Sequence, residues 1–239
     1  MTSLLRMFER IYVVNLESRG DRRLEMSRQL TNVGLNLFSH PVELFPAIRP
    51  QHAGEYPSVG ARGCFLSHLG ILRLARESGL KSVLILEDDL NFIAQFAAYS
   101  ELIAAQLSSA EFAVFYGGGA LKLPVEETKA PGLITVASTV SVGLTHFVGF
   151  NGHDCINDAV DYLEAIDSRT AGDPQGGPMH VDGAYGWFRR AKPQYQTVIA
   201  YPELGYQRAS RTDIHQLRWF DRFTGLRSVA AAVRRIRNG

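Results

Sequence analysis

The stretch Lys81-Ser-Val-Leu-Ile-Leu-Glu-Asp-Asp-Leu90 decides how this chain is read. Val83 to Leu86 is an unbroken apolar run, short enough for a strand and without a helical period. A strand apolar on both faces suits the middle of a sheet covered on both sides, the usual setting of parallel strands. Three acids, Glu87, Asp88 and Asp89, follow it directly. Ligands of open α/β sheets bind at the carboxyl ends of the strands. Adjacent carboxylates repel one another, and a hard divalent cation, Mg²⁺ or Mn²⁺, offsets that repulsion while also taking phosphate oxygens of a substrate. The plainer alternative is an acidic loop that caps a helix starting near Asn91.

Toward the N-terminus, Ile11 to Leu16 reads as a first buried strand with the polar Asn15 near its end. The turn Glu17-Ser-Arg-Gly-Asp-Arg-Arg23 then runs into a helix whose stripe is Leu24 or Met26, Leu30 and Val33, with Gly34 as its stop. Arginines at a strand-to-helix turn are placed to hold phosphate, through their fork geometry and the adjacent helix N-terminus. In the first turn they also oppose the helix dipole unless an anion is near. Leu35 to Tyr56 reads as a second short strand and an irregular segment punctuated by prolines. Gly60 opens a helix with Phe65, Leu69 and Leu72 on one face, Ser67 and His68 early in it, and Gly79 at its end.

Beyond the acids, Phe92, Phe96, Tyr99, Ile103 and Leu107 keep a helical spacing. Phe112 to Tyr116 reads as a strand ending in a Gly117-Gly118-Gly119 turn, close approach to a ligand being the other use of three glycines. Leu133–Ala137 and Val140–Phe150 read as further strands, an antiparallel part of the sheet, followed by a helix marked by Ile156, Val160 and Leu163. Ser168 to Pro178 is loop-like, either a flap or a passive connection. It delivers His180 and Asp182, which would face one site, although Asp182 also suits a helix N-cap. Thr197–Tyr201 reads as the last strand.

The 239 residues, 46% hydrophobic and 21% charged, suffice for one large α/β domain with a full core. Residues 1–216 read as that single domain. Residues 217–239 interleave aromatic and aliphatic residues with six arginines, as in an amphipathic helix on an anionic membrane surface or one docked on the domain. A net charge of +1 argues against a dedicated nucleic-acid binder. Cys64 and Cys155 lie far apart without a metal-binding spacing and read as buried thiols of a reducing compartment. The first ten residues lack a signal-peptide core, and no apolar run approaches the roughly 20 residues of a membrane span. The expectation is a cytoplasmic protein, with peripheral contact to the cytoplasmic face of a membrane through 217–239.

Taken together, Val14-Asn15-Leu16, Arg19, Asp21-Arg22-Arg23, Gly63-Cys-Phe-Leu-Ser-His68 and Leu84-Ile-Leu-Glu-Asp-Asp89 resemble glycosyltransferase family 25. That family includes bacterial lipooligosaccharide galactosyltransferases and collagen β-galactosyltransferases. Val181-Asp182-Gly183, and Pro202, Gln207 and Ser210 to Ile214, resemble its later segments. The resemblance implies a GT-A fold: a Rossmann-like α/β/α sandwich with a mixed, mostly parallel central sheet. It implies an inverting hexosyltransferase that takes a nucleotide sugar, commonly UDP-galactose, with Mn²⁺ or Mg²⁺ as cofactor and a glycan or glycolipid as acceptor.

By the same carry-over Asp89, with Glu87 or Asp88, would bind the metal. Asn15, Leu16, Arg19 and Arg22 would border the nucleotide, and Ser67, His68 and Asp88 would sit beside the donor. Asp182 would be the general base, with Asp213 as runner-up; His180 and Gln207 would serve the acceptor or the metal. Thr145-His-Phe-Val-Gly-Phe150 departs from the family's pattern in a region that often shapes the acceptor side. Three rival readings remain: a nucleotide-sugar binder without turnover, a metal-dependent phosphate-transfer enzyme, and a membrane-surface adaptor.

Overall fold

A computed structural model describes residues 2–121 and 130–208. Asp213 and the basic segment 217–239 lie outside the described residues. Alternate residues of β3 (Ser82–Glu87) feed two separate cores: Val83 and Ile85 pack into one, Leu84 and Leu86 into the other, and all four are fully buried. Each such side chain contributes about 1.5–3 kcal/mol of transfer free energy. The run without polar alternation is thus explained by a strand with no wet face.

β3 lies inside a seven-stranded sheet ordered β2-β1-β3-β7-β5-β8-β6. The other members are β1 (Arg10–Asn15), β2 (Val42–Pro46), β5 (Val114–Leu121), β6 (Gly132–Val136), β7 (Val142–Asn151) and β8 (Thr197–Tyr201). β1 pairs in parallel with β2 and β3, and β5 with β8. β7 runs antiparallel between β3 and β5, and β6 antiparallel to β8. Five of the seven strands therefore point the same way, as a mixed, mostly parallel sheet requires.

One face is covered by α3 (Val59–Glu77), α5 (His153–Ser168) and α6 (Val181–Ala191), whose Phe65, Leu69, Val160, Leu163, Ala184 and Phe188 share a core. The other is covered by α1 (Ser3–Arg6), α2 (Gly20–Asn32) and α4 (Phe96–Ser109), through Leu5, Met26, Leu30, Phe96 and Ile103. The result is an α/β/α sandwich of Rossmann-like layering, as the sequence led us to expect.

Three local readings need correction. The helical stripe after the acids begins later than Phe92: Leu90–Phe92 forms a short strand, β4, paired antiparallel with β9 (Gly205–Gln207), and α4 starts at Phe96. Phe92 still reaches the core, its ring tilted against that of Phe96 with centroids 4.5 Å apart, so the apolar spacing continues through a change of backbone. The glycines 117–119 are strand rather than turn, with register irregularities between Tyr116 and Ala120. Packing explains their identity. A Cβ on Gly117 would lie 2.6 Å from the Phe147 ring, and one on Gly118 would lie 2.3 Å from the Gly205 carbonyl oxygen and 2.6 Å from His146 Nε2. Finally, His180 rather than Asp182 holds the N-cap position of α6, and Asp182 lies within its first turn.

Gly118→Ala should therefore destabilise the fold by about 1–3 kcal/mol, the usual cost of overpacking a filled core. A urea midpoint equal to that of the unmodified protein would contradict the packing of β5 against β9.

Candidate functional site

The carboxyl ends of β1 and β3 open on a cleft of about 570 Å³. β1 brings Val14 and the following turn brings Leu16, Ser18, Arg19 and Arg22. The segment after β2 brings Ala47 to Pro50, α3 brings Gly63, Cys64 and Ser67, and β3 brings Glu87 and Asp88. The chains leaving β1 and β3 both go to one face of the sheet, where α2 and β4 share a core, while the chain leaving β2 goes to α3 on the other face. Gly63 admits close approach: a Cβ there would meet the Ile48 carbonyl oxygen at 2.6 Å.

Asp88 is held by two partners, Asn15 Nδ2 donating at 2.7 Å and Arg22 Nη1 at 2.9 Å. Asp89, 5% exposed, accepts longer bonds from Arg22 at 3.4 Å and Gln207 Nε2 at 3.3 Å. Among the described residues its Oδ1 is buried without a partner. Burial, then the neighbouring Glu87 charge, push its pKa up to about 7, against the pull of Arg22. The β4–β9 ribbon makes this arrangement possible: it returns Gln207 to Asp89, and Arg208 N–H donates to the Asp89 carbonyl at 2.7 Å.

Glu87 turns elsewhere. Thr145 Oγ1 donates to its Oε1 at 2.9 Å, and His68 Nε2 lies 3.5 Å from the same oxygen. Burial works to raise its pKa, but His68, Thr145 and His146 outweigh it and hold the carboxyl below its ordinary range. His68, fully buried, has its Nδ1 3.0 Å from the Tyr185 hydroxyl.

The cleft and its floor therefore gather Leu16, Arg19, Arg22, Ser67, Glu87 and Asp88, with Asn15, Asp89 and Gln207 bonded just behind. Ser67 is engaged in structure: its hydroxyl donates to the Gly63 carbonyl at 2.6 Å and accepts from Ile48 N–H at 2.9 Å, fastening the 47–50 segment over the cleft. Arg19 is paired with Asp21 at 2.7 Å. Asp182 lies outside the cleft lining, its Oδ2 beside Gly143, and its charge helps to raise the Cys64 thiol. His180 is exposed, and among the described residues no contact joins it to the acids. Arg49 escaped the sequence reading, having no local pattern to flag it. Cys64, expected as a buried thiol like Cys155, is instead half-buried and lines the cleft, one helical turn before His68, a neighbour relation the sequence reading did not use.

Residues 50–141 match the profile of glycosyltransferase family 25, described as an LPS biosynthesis protein family. A glycosyltransferase 25 family member of Drosophila pseudoobscura pseudoobscura is 31% identical over 161 residues, 58% of this chain and 24% of that protein. Procollagen galactosyltransferase 1-B of Xenopus laevis is 25% identical over 53% of this chain and 24% of its own length. Human inactive glycosyltransferase 25 family member 3 is 26% identical over the same shares, 53% and 24%. The chain spans about a quarter of the length of these curated relatives. The resemblance to glycosyltransferase family 25 read from the sequence thus holds, and the matched segment contains α3 and the acidic triplet.

A carboxyl with a raised folded pKa binds its proton more tightly when folded, so stability falls as pH rises from the unfolded value near 4 to about 7. Asp89→Asn should remove that loss. Without divalent cations, the variant should melt higher than the unmodified protein at pH 7, and the gap should close near pH 4. A gap that is constant across this window would refute the strained Asp89.

Proposed function

We propose that this chain is a metal-dependent inverting glycosyltransferase that moves a hexose from a nucleoside-diphosphate sugar to a glycan or glycolipid acceptor. The observation that carries this reading is Asp89 Oδ1, a buried carboxylate oxygen without a partner among the described residues, just past the end of β3 and beside a cleft rimmed by Arg19, Arg22 and Arg49. Among the described residues Arg49 is exposed and makes no ion pair. Around these arginines the lining is apolar, with Leu16, Ala47, Ile48, Pro50 and Val59, and suits a flat nucleobase. An orphaned oxygen and a raised carboxyl pKa fit a hard divalent cation, Mn²⁺ or Mg²⁺, which would be held by Asp89 with Asp88. Such a cation, when bound, supplies charge neutralisation for a departing nucleoside diphosphate.

The chain's own residues do the rest. Arg22 and Arg49 draw the phosphates, and Ser67 keeps the 47–50 segment in place over the donor. Asp182 accepts the proton of the acceptor hydroxyl as that oxygen attacks the anomeric carbon from the face opposite the leaving group. Galactose from UDP-galactose is the first donor to test, supported by the similarity to a procollagen galactosyltransferase. The same reading puts the protein on the cytoplasmic side near a membrane, where a lipid-linked acceptor would be met. The second reading is binding without turnover. It is favoured by the similarity to a protein named inactive and by Arg22, already paired with Asp88 and Asp89.

A melting panel of UDP, GDP, CMP and ADP with and without Mn²⁺ separates these. One nucleotide should stabilise only with Mn²⁺, by about 2.7 kcal/mol at a hundredfold excess over its dissociation constant. Asp89→Asn should lose that shift, and a shift that persists would remove the cation from Asp89. Asp182→Asn should keep the shift and slow sugar transfer about a hundredfold or more. Equal transfer rates would take the base role from Asp182, and a nucleotide shift without any transfer by the unmodified protein would favour the binder.

A further inference from the structure

The acidic triplet divides between two neighbourhoods. Asp88 and Asp89 turn to Arg22, Asn15 and Gln207, while Glu87 turns to α3. There Cys64 Sγ, a His68 ring nitrogen and a Glu87 carboxylate oxygen all lie within 4.8 Å of one another. Cys64 and His68 are one helical turn apart, so their side chains leave α3 on one face. Among the described residues His68 Nε2 is buried without a hydrogen-bond partner, and its 3.5 Å to Glu87 is longer than an N–H···O bond.

Each of these groups is also oriented from behind. The Tyr185 hydroxyl lies 3.0 Å from His68 Nδ1, which leaves Nε2 to face the cluster. Thr145 holds Glu87. Outer partners of this kind fix the tautomer and direction of metal ligands. Cys64 and Glu87 line the cleft, so the cluster has both an entry path and an open side.

We infer that Cys64, His68 and Glu87 form a binding site for a borderline-soft divalent cation of the Zn²⁺ class, open to the cleft and separate from the hard-cation position at Asp89. A thiolate and an imidazole select such an ion over Mg²⁺ or Mn²⁺, which prefer carboxylate and water oxygens. Three protein ligands with one free position is the pattern of a zinc site that also meets a ligand. On binding, the Cys64 S–H bond breaks, its proton passes to water and a sulfur–metal bond forms, with no change of oxidation state. The inference stands apart from the glycosyltransferase reading.

Co²⁺ is the probe, added to the full chain after chelator treatment. One equivalent should give a near-ultraviolet thiolate-to-cobalt band, and stoichiometric Zn²⁺ should abolish it. Cys64→Ser should lose the band and Cys155→Ser should keep it. Tyr185→Phe should weaken Co²⁺ binding about tenfold, the cost of a lost outer partner. Asp89→Asn should retain the band even though it loses Mn²⁺-dependent nucleotide binding, which keeps the two sites distinguishable. A measurement that needs no variant is alkylation of Cys64: Zn²⁺ should protect it and Mn²⁺ should not. No thiolate band, the same band in Cys64→Ser, or equal alkylation with and without Zn²⁺ would overturn the site.

Discussion

Three consecutive carboxylates at the end of a fully buried strand are the constraint around which the molecule is arranged. β3 has no wet face, so Glu87, Asp88 and Asp89 begin where solvent is already largely excluded. Like charges there cannot be left to water, and each needs partners supplied by the fold. Asp88 receives an amide and a guanidinium. Glu87 receives a hydroxyl, with histidines nearby. Asp89 is the one shortchanged, with two long bonds, an unpartnered oxygen and a pKa near neutrality. Where one member of a charged group stays under-satisfied while its neighbours do not, a ligand is the economical explanation.

The rest of the topology can be understood as delivery of those partners. The β1-to-α2 turn carries Arg22 to the acids, and Asn15 ends β1 beside them. The antiparallel insertion of β7 next to β3 puts Thr145 and His146 at the same sheet edge as Glu87. Just before Thr145, Leu144 takes a φ of 66°, a left-handed backbone that a leucine adopts only against sterics. Strain at that position is held by the pairing of β7 with β3 and β5 on either side. The β4–β9 ribbon, only three residues a strand, exists largely to bring the chain back over Asp89.

What could be read in the sequence follows the range of the forces involved. Runs governed by local burial, such as Val83–Leu86 and the Phe65–Leu69–Leu72 face, declare themselves because their periodicity is the burial pattern. The arginine turn did so too, since strand, turn and helix start are contiguous. The glycines 117–119 misled because their cause lies elsewhere: Phe147 and Gly205 occupy the space that side chains would need. β4 was hidden because its partner, β9, lies more than a hundred residues away and both strands are very short. The Cys64–His68–Glu87 cluster combines a helix spacing with a strand end, so no single window of sequence contains it.

The charges and apolar groups of the lining together decide what the cleft selects. Arg19 is paired with Asp21 and Arg22 with two acids, so much of the cationic charge at the rim is already compensated. Arg49 adds charge at the wall with no ion pair among the described residues, next to Ile48 and Pro50. A purely anionic ligand would leave that apolar wall wet, and a purely apolar one would leave Arg49 and the buried Asp89 Oδ1 beside the cleft uncompensated. A ligand with a flat apolar end, an anionic middle and an accompanying cation satisfies all three at once. That combined demand, more than any one residue, is the ground on which we propose a nucleoside diphosphate for this cleft in preference to a lipid or a bare phosphate.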